Sequence, residues 1–262
     1  MLDAVTATEP APGGANDDFL MVTGRWALVL DGVSKYPVAD IGCRHDVPWY
    51  VAHLGAYFSA SLATSAPDRP LDAVLAEAIR RTAADHADEC DLSNPFTPAA
   101  TVAAVRVTGD RLDWLVLGDA TVAWQLKDGT SEAITDDRLD KLTGGPVIVA
   151  DVRRYDPSYV ITVRNQPGGF WVAAADPDVA AQAYTGSLAL DQVDRVGLYS
   201  DGITRLVERY GHTWTDLFEL VNAEGPRALI HAVRAAEKAD SDPGRWRGKP
   251  HDDATAVIAR VL

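Results

Sequence analysis

The chain has only two cysteines, Cys43 and Cys90, in 262 residues. A chain this long cannot rest on one pair as a disulfide framework, and a reducing setting fits. Positive charge is also scarce. Lys and Arg number 24 against 38 Asp and Glu, giving a net charge of −14. Nucleic-acid binding needs clustered Lys and Arg, so that partner is disfavoured. No polybasic face is offered to anionic lipid, and no apolar run is long enough to span a bilayer. The opening residues Met1-Leu2-Asp3-Ala4-Val5 lack the basic and apolar regions of a signal peptide, so the expected location is cytoplasmic. Long Gly/Ser/Pro linkers, internal repeats and low-complexity segments are missing too. The expectation is a single domain over residues 1–262. Nothing in the sequence sets the oligomeric state.

What is present begins with a sizeable core, since 47% of residues are hydrophobic. The chain is organised around Val29-Leu30-Asp31-Gly32-Val33-Ser34, where an apolar strand runs into Asp-Gly. Asp18–Thr23 and Trp26–Asp31 read as two strands joined by Gly24-Arg25, a type II′ hairpin signal. That loop places Thr23 opposite Trp26 and, counting back, Asp18 opposite Asp31. Directly opposed side chains sit roughly 4.5–5.5 Å apart at Cβ, and like charges there repel. Two carboxylates so placed need a proton or a cation, which assigns Asp31 to a metal site.

Residues Thr8–Ala15 read as a loop. Pro48 fits the first turn of a helix carrying Tyr50, Leu54, Phe58 and Leu62 on one stripe. A second helix starts near Pro70, with Leu71, Val74, Leu75, Ala78 and Ile79 facing inward. Then come strands at 101–107, 112–117, 122–126 and 130–134, read as an antiparallel meander because their connections are short. Asp136–Thr143 reads as a short helix, and 147–150 and 159–163 as strands. After Val196–Ser200, a strand ending in Asp201-Gly202, two helices start near Thr213 and Pro226. Ser241–Lys249 reads as a polar loop and Ala254–Val261 as the last strand. The order is not βαβα alternation; it points to layered α+β packing. The tryptophans, including Trp49, Trp114, Trp124 and Trp171, read as core, and Cys43 as a small buried residue.

Four acidic stations share one local grammar: Asp17-Asp18 opens a strand, Asp31-Gly32 and Asp201-Gly202 each end one, and His251-Asp252-Asp253 opens the last. Asp119 sits at a strand-to-strand turn. Any one of these alone is a common turn residue. Together they place hard oxygen donors on strand ends, which suits Mg²⁺ or Mn²⁺. Two such ions about 3.5–4 Å apart can activate a water and clamp a phosphoryl oxygen, which is chemistry for hydrolysing phosphoesters.

Asn16-Asp17-Asp18, Leu30-Asp31-Gly32, Thr101-Val102, Leu117-Gly118-Asp119, Leu198–Gly202 and Asp252–Val257 resemble, in order and spacing, the metal-dependent protein phosphatases of the PP2C type. The likeness covers nearly the whole chain and implies a divergent bacterial member. It implies a four-layer α-β-β-α sandwich of two antiparallel sheets flanked by helices, with metals in a cleft at one edge. It implies that Asp31 bridges two metal ions, that the Gly32 carbonyl binds one of them, and that Asp201 and Asp252 bind the other. Asp18 would hold metal-bound waters, with Asp17 beside it. The implied mechanism is direct attack by activated water on a phosphoprotein or a smaller phosphoester, without a phosphoenzyme.

The sequence also departs from the family pattern. Gly13 stands where an Arg usually grips substrate phosphate, and Val33 where His or Met is common. Arg205 replaces an Asp that helps hold a third metal, so Asp119 loses its companion and a third ion is expected to be weak or absent. Asp253 replaces an Asn and is expected to add negative charge near the cleft. Candidate cations for phosphate are Arg205, Arg44 and His45, and His251 is a candidate to support Asp252 from behind. Aspartyl-phosphate hydrolases also place an Asp after an apolar strand. They want a second Asp where Val33 stands, and a parallel sheet. The alternative from another class is a regulatory or binding module that keeps the fold and has lost turnover. Gly13 and Arg205 favour it; Asp31, Asp201 and Asp252 oppose it.

Overall fold

The computed structural model describes residues 1–262. In chain order it holds β1 (Leu2–Glu9), β2 (Phe19–Val22), β3 (Trp26–Gly32), α1 (Val47–Thr64), α2 (Leu71–Ala84), β4 (Ala100–Thr108), β5 (Arg111–Leu117), β6 (Thr121–Leu126) and β7 (Ser131–Ile134). There follow β8 (Val147–Val149), β9 (Val152–Arg154), α3 (Pro157–Val163), β10 (Tyr184–Ala189), β11 (Val193–Tyr199), α4 (Asp201–Glu208), α5 (Trp214–Glu224), α6 (Arg227–Ala239) and β12 (Ala254–Val261). One antiparallel sheet has the order β1-β12-β11-β6-β7, and a second β10-β5-β4-β3-β2. The strands β8 and β9 form a small hairpin apart from both.

Period-two alternation turns these sheets into layers. In β3, Trp26, Leu28 and Leu30 pack under α1 and α2, while Ala27 and Val29 face the other sheet. In β12, Ala254, Ala256 and Ile258 pack under α4, α5 and α6, while Val257 and Ala259 face inward. Three apolar layers therefore separate four structural ones, the α-β-β-α sandwich. The helices begin where local chemistry dictates. Asp46 caps α1 by accepting from the Trp49 amide, and Thr213 and Asp216 form a reciprocal capping box on α5. No helix is long and apolar enough to cross a membrane.

Several local expectations are corrected. Strands β5 and β6 do not pair, so the meander breaks: at Gly118, with φ of +76°, the chain leaves one sheet for the other. Residues 159–163 are helical although β-branched. Pro157 opens the turn, Asp156 caps it, and Val160 is fully buried in a satellite core with Tyr155 and Phe170. Asp136–Thr143 forms turns rather than a helix. Gly24 does not take a positive φ; the Thr23 hydroxyl accepts from the Arg25 and Trp26 amides and holds the hairpin instead. Part of the expected loop at Thr8–Ala15 belongs to β1, which the sequence reading missed along with the edge strand β10.

Candidate metal centre

The same alternation delivers the acids. Ala27 and Val29 lie between the sheets, so Asp31, two residues on, enters that space at its rim. On β2, Leu20 and Val22 pack against the same core, and Asp18 precedes them in phase. The register Phe19↔Leu30 continues to Asp18 opposite Asp31. Gly32 permits a close approach: a Cβ there would fall 2.6 Å from the Asp17 carbonyl oxygen and 2.4 Å from Val47. Gly202 does the same from the other sheet, where a Cβ would fall 1.9 Å from the Asp253 carbonyl oxygen. That contact presses the start of α4 against the start of β12, setting Asp201 beside Asp252. The Asp201 amide donates to Asp31 Oδ2 at 3.1 Å, joining strand ends from opposite sheets. Asp119 arrives on the crossover from β5 to β6.

Asp31, Gly32, Asp119, Asp201 and Asp252 line one cleft. Both carboxylate oxygens of Asp18 are buried and lack any hydrogen-bond partner. Burial, then repulsion from Asp201 and Asp18, pushes the Asp31 carboxyl well above its usual range. Burial is also the main cause for Asp18, pushed up to about 8, Asp119 to about 7 and Asp252 to about 6; Asp201 adds to each. A set of oxygen donors this crowded, with the orphaned Asp18 oxygens on the strand opposite Asp31, matches a hard divalent cation, which would restore the ionised forms.

The other sequence candidates lie elsewhere. Asp253 faces the loop after β1, where its two oxygens accept from the Ala11 and Asp17 amides at 2.7 Å each. It secures the approach of Asp17 and does not line the cleft. Arg205 is not at the substrate surface either. Its side chain is 1% exposed, donating to Glu237 Oε1 at 2.8 Å and to Asp252 Oδ2 at 3.1 Å. His251 Nδ1 meets Glu237 Oε2 at 2.7 Å, so it supports Asp252 only through Glu237 and Arg205. Arg44 pairs with Glu89 at 3.2 Å on the surface, and His45 lies beside Cys43, both outside the cleft. The basic residues that do line it are Arg154, Arg164, Arg247 and Lys249. Arg247 sits 3.7 Å from Asp119 and Lys249 3.4 Å from Asp252. Sequence reasoning passed over both inside a polar loop; their only signal was positive charge close before Asp252.

The chain matches the family model of protein phosphatase 2C over residues 13–234 and belongs to that family. No curated protein sequence matches it significantly. Among solved structures, the PPM Ser-Thr phosphatase MsPP from Mycobacterium smegmatis, in complex with cacodylate, is 20% identical with a TM-score of 0.58, over 99% of this chain and 98% of that one. The catalytic domain of serine threonine protein phosphatase PstP, in complex with two manganese ions, is 18% identical with a TM-score of 0.58, over 100% and 98%. A Caenorhabditis elegans sex determining protein is 12% identical with a TM-score of 0.62, over 100% of this chain and 65% of that one. At these identities the likeness establishes the shared fold.

Proposed function

We propose that this chain is a metal-dependent phosphatase acting on phosphoserine or phosphothreonine in proteins, or on a smaller phosphoester. The observation that carries the reading is the orphaned Asp18 carboxylate set opposite Asp31, itself in a cleft with three further acids, Asp119, Asp201 and Asp252. Two Mn²⁺ or Mg²⁺ ions would share Asp31, with the Gly32 carbonyl on one side and Asp201 and Asp252 on the other. Bound there, they would supply an activated water and withdraw charge from the phosphoryl group. A third ion is disfavoured, because Arg247 already stands beside Asp119. Asp18 would accept hydrogen bonds from the attacking water and orient it. Arg247 and Lys249, with Arg154 at the rim, offer cationic donors to the phosphate oxygens where the usual Arg is replaced by Gly13. The manganese-bound PstP relative supports the choice of ion.

The test is hydrolysis of para-nitrophenyl phosphate with and without Mn²⁺, in wild type, Asp31→Ala and Asp201→Asn. Turnover that needs the metal and disappears in both variants supports the phosphatase. One observation favours a weaker, non-catalytic binding module: both Asp252 oxygens are already engaged, by Arg205 and by Lys249. Manganese binding without turnover under any condition would select that reading.

A further inference from the structure

A second cluster of metal-type donors lies outside the cleft. Cys43 and His45 end the irregular loop before α1, and His86 and Cys90 follow α2. The two helices form an antiparallel hairpin, so the start of one comes beside the end of the other. His53 and Tyr57 of α1 both reach Asp85 at the α2 end, at 2.9 and 2.8 Å. The four potential ligand atoms all lie within 4.8 Å of one another. Cys43 Sγ is 3.4 Å from His86 Nδ1 and 3.8 Å from His45 Nδ1, and Cys90 Sγ is 3.7 Å from His45 Nδ1. A tetrahedron of Zn–S and Zn–N bonds has edges of about 3.4–3.8 Å, which these separations match. The two sulfurs, 3.0 Å apart, would have to open by about 0.8 Å to span the S–S edge of that tetrahedron.

The surroundings hold the donors in place. His45 stacks on Trp49 with ring centroids 3.9 Å apart, and its Nε2 faces Glu89 Oε2 at 3.9 Å, leaving Nδ1 turned toward the sulfurs. An imidazole ligand commonly has a carboxylate near its other nitrogen. The His86 ring, 2% exposed, has no hydrogen-bond partner besides the Cys43 sulfur. The Asp91 amide donates to the Gly42 carbonyl at 2.7 Å, tying the two ligand loops together.

We propose that Cys43, His45, His86 and Cys90 form a structural zinc site. Two thiolates and two imidazoles are softer than the carboxylates of the cleft and favour Zn²⁺ over Mg²⁺ or Mn²⁺. Four protein ligands leave no open position, the mark of a structural site. Binding releases one proton from each thiol to solvent, and each imidazole binds neutral through Nδ1. The ion pins the 33–46 loop, which leaves β3 directly after Gly32 and lines the cleft with Val33, Ser34 and Tyr36. It thereby fixes one wall of the acidic site from outside.

The test is the metal content of the whole chain, purified with reductant, dialysed and measured by mass spectrometry. About one zinc per chain is expected in wild type and in Asp31→Asn, and almost none in the Cys43→Ser/Cys90→Ser double variant. Should the double variant fail to fold, Co²⁺ added to zinc-stripped wild type decides, and a thiolate-to-cobalt charge-transfer band with tetrahedral d–d bands is expected. Wild type that holds no zinc, or shows no such bands, overturns the site. So does a Cys43–Cys90 disulfide that persists under reductant in place of metal.

Discussion

The acidic cleft draws its donors from both sheets, while the Cys43–Cys90 cluster draws its donors from the two ends of one helical hairpin. The first is built by strand periodicity: Asp18 and Asp31 enter the intersheet space because every second residue before or after them does. The second is built by helix length and antiparallel packing, which return the chain to its starting point after forty residues. The cleft crowds negative charge that has too few partners, and Asp18 has none. The cluster sets two sulfurs and two imidazoles with all four ligand atoms within 4.8 Å of one another. An open, hard-donor arrangement leaves room for water and phosphate; a closed, soft-donor one leaves room for nothing but the ion. The difference teaches that donor type and vacancy, rather than the number of donors, separate a reactive metal site from a structural one.

Substitutions should pull the two regions apart. The largest effect belongs to Asp31→Ala, which removes the donor shared across the cleft. Turnover of para-nitrophenyl phosphate should fall by about 10³-fold or more, with zinc content unchanged. Next comes Arg205→Met. This residue links Asp252 to Glu237, and Glu237 also receives Arg234 and His251. Removing it takes the buried cation from between two carboxylates, Glu237 and Asp252, and urea unfolding should show a loss of about 3–5 kcal/mol. A near-neutral result would mean that Asp252 needs no support from behind. The smallest effect is expected from Arg247→Ala. If it meets substrate phosphate, KM should rise about tenfold with kcat little changed. A fall in kcat at constant KM would move Arg247 from binding phosphate to stabilising the transition state.

The sequence made one region legible and hid the other. The Gly24-Arg25 loop, flanked by alternating apolar residues, gave the true register of β2 and β3, and so the meeting of Asp18 with Asp31, even though Thr23 rather than glycine holds the turn. The α1 and α2 stripes, β4, β11 and β12 were readable because their apolar spacing is strong. β1 was not, since Leu2–Glu9 alternates weakly and buries little beyond Leu2 and Ala7. β10 is an exposed edge strand with Gly186 packed against Trp114, so it carries no apolar signature. α3 overrode its own β-branched composition because Asp156 and Pro157 start a helix and Val160 is buried on one side. The spacings Cys43-x-His45 and His86-x-x-x-Cys90 are each too sparse to flag a site. Only the folded hairpin makes them one group. Arg247 was hidden for the same reason, since its approach to Asp119 is tertiary, whereas Lys249 reaches Asp252 only three residues on.

The central claim is that the buried acids of the cleft tolerate one another because a divalent cation is there to be bound. Thermal unfolding of metal-stripped protein across pH, with and without Mn²⁺, tests it most directly. In the folded chain Asp18, Asp119 and Asp252 titrate at about 8, 7 and 6, all above the 3.8 of an unperturbed aspartate. At these groups the folded state then binds more protons than the unfolded state through that window, so without ions the stability they contribute is full below about pH 4 and drains away as pH rises toward 8. Mn²⁺ should cancel that decline, with its stabilising effect growing as pH rises and vanishing in acid. Curves that stay parallel across the whole range, displaced by nothing when Mn²⁺ is added, would contradict the account.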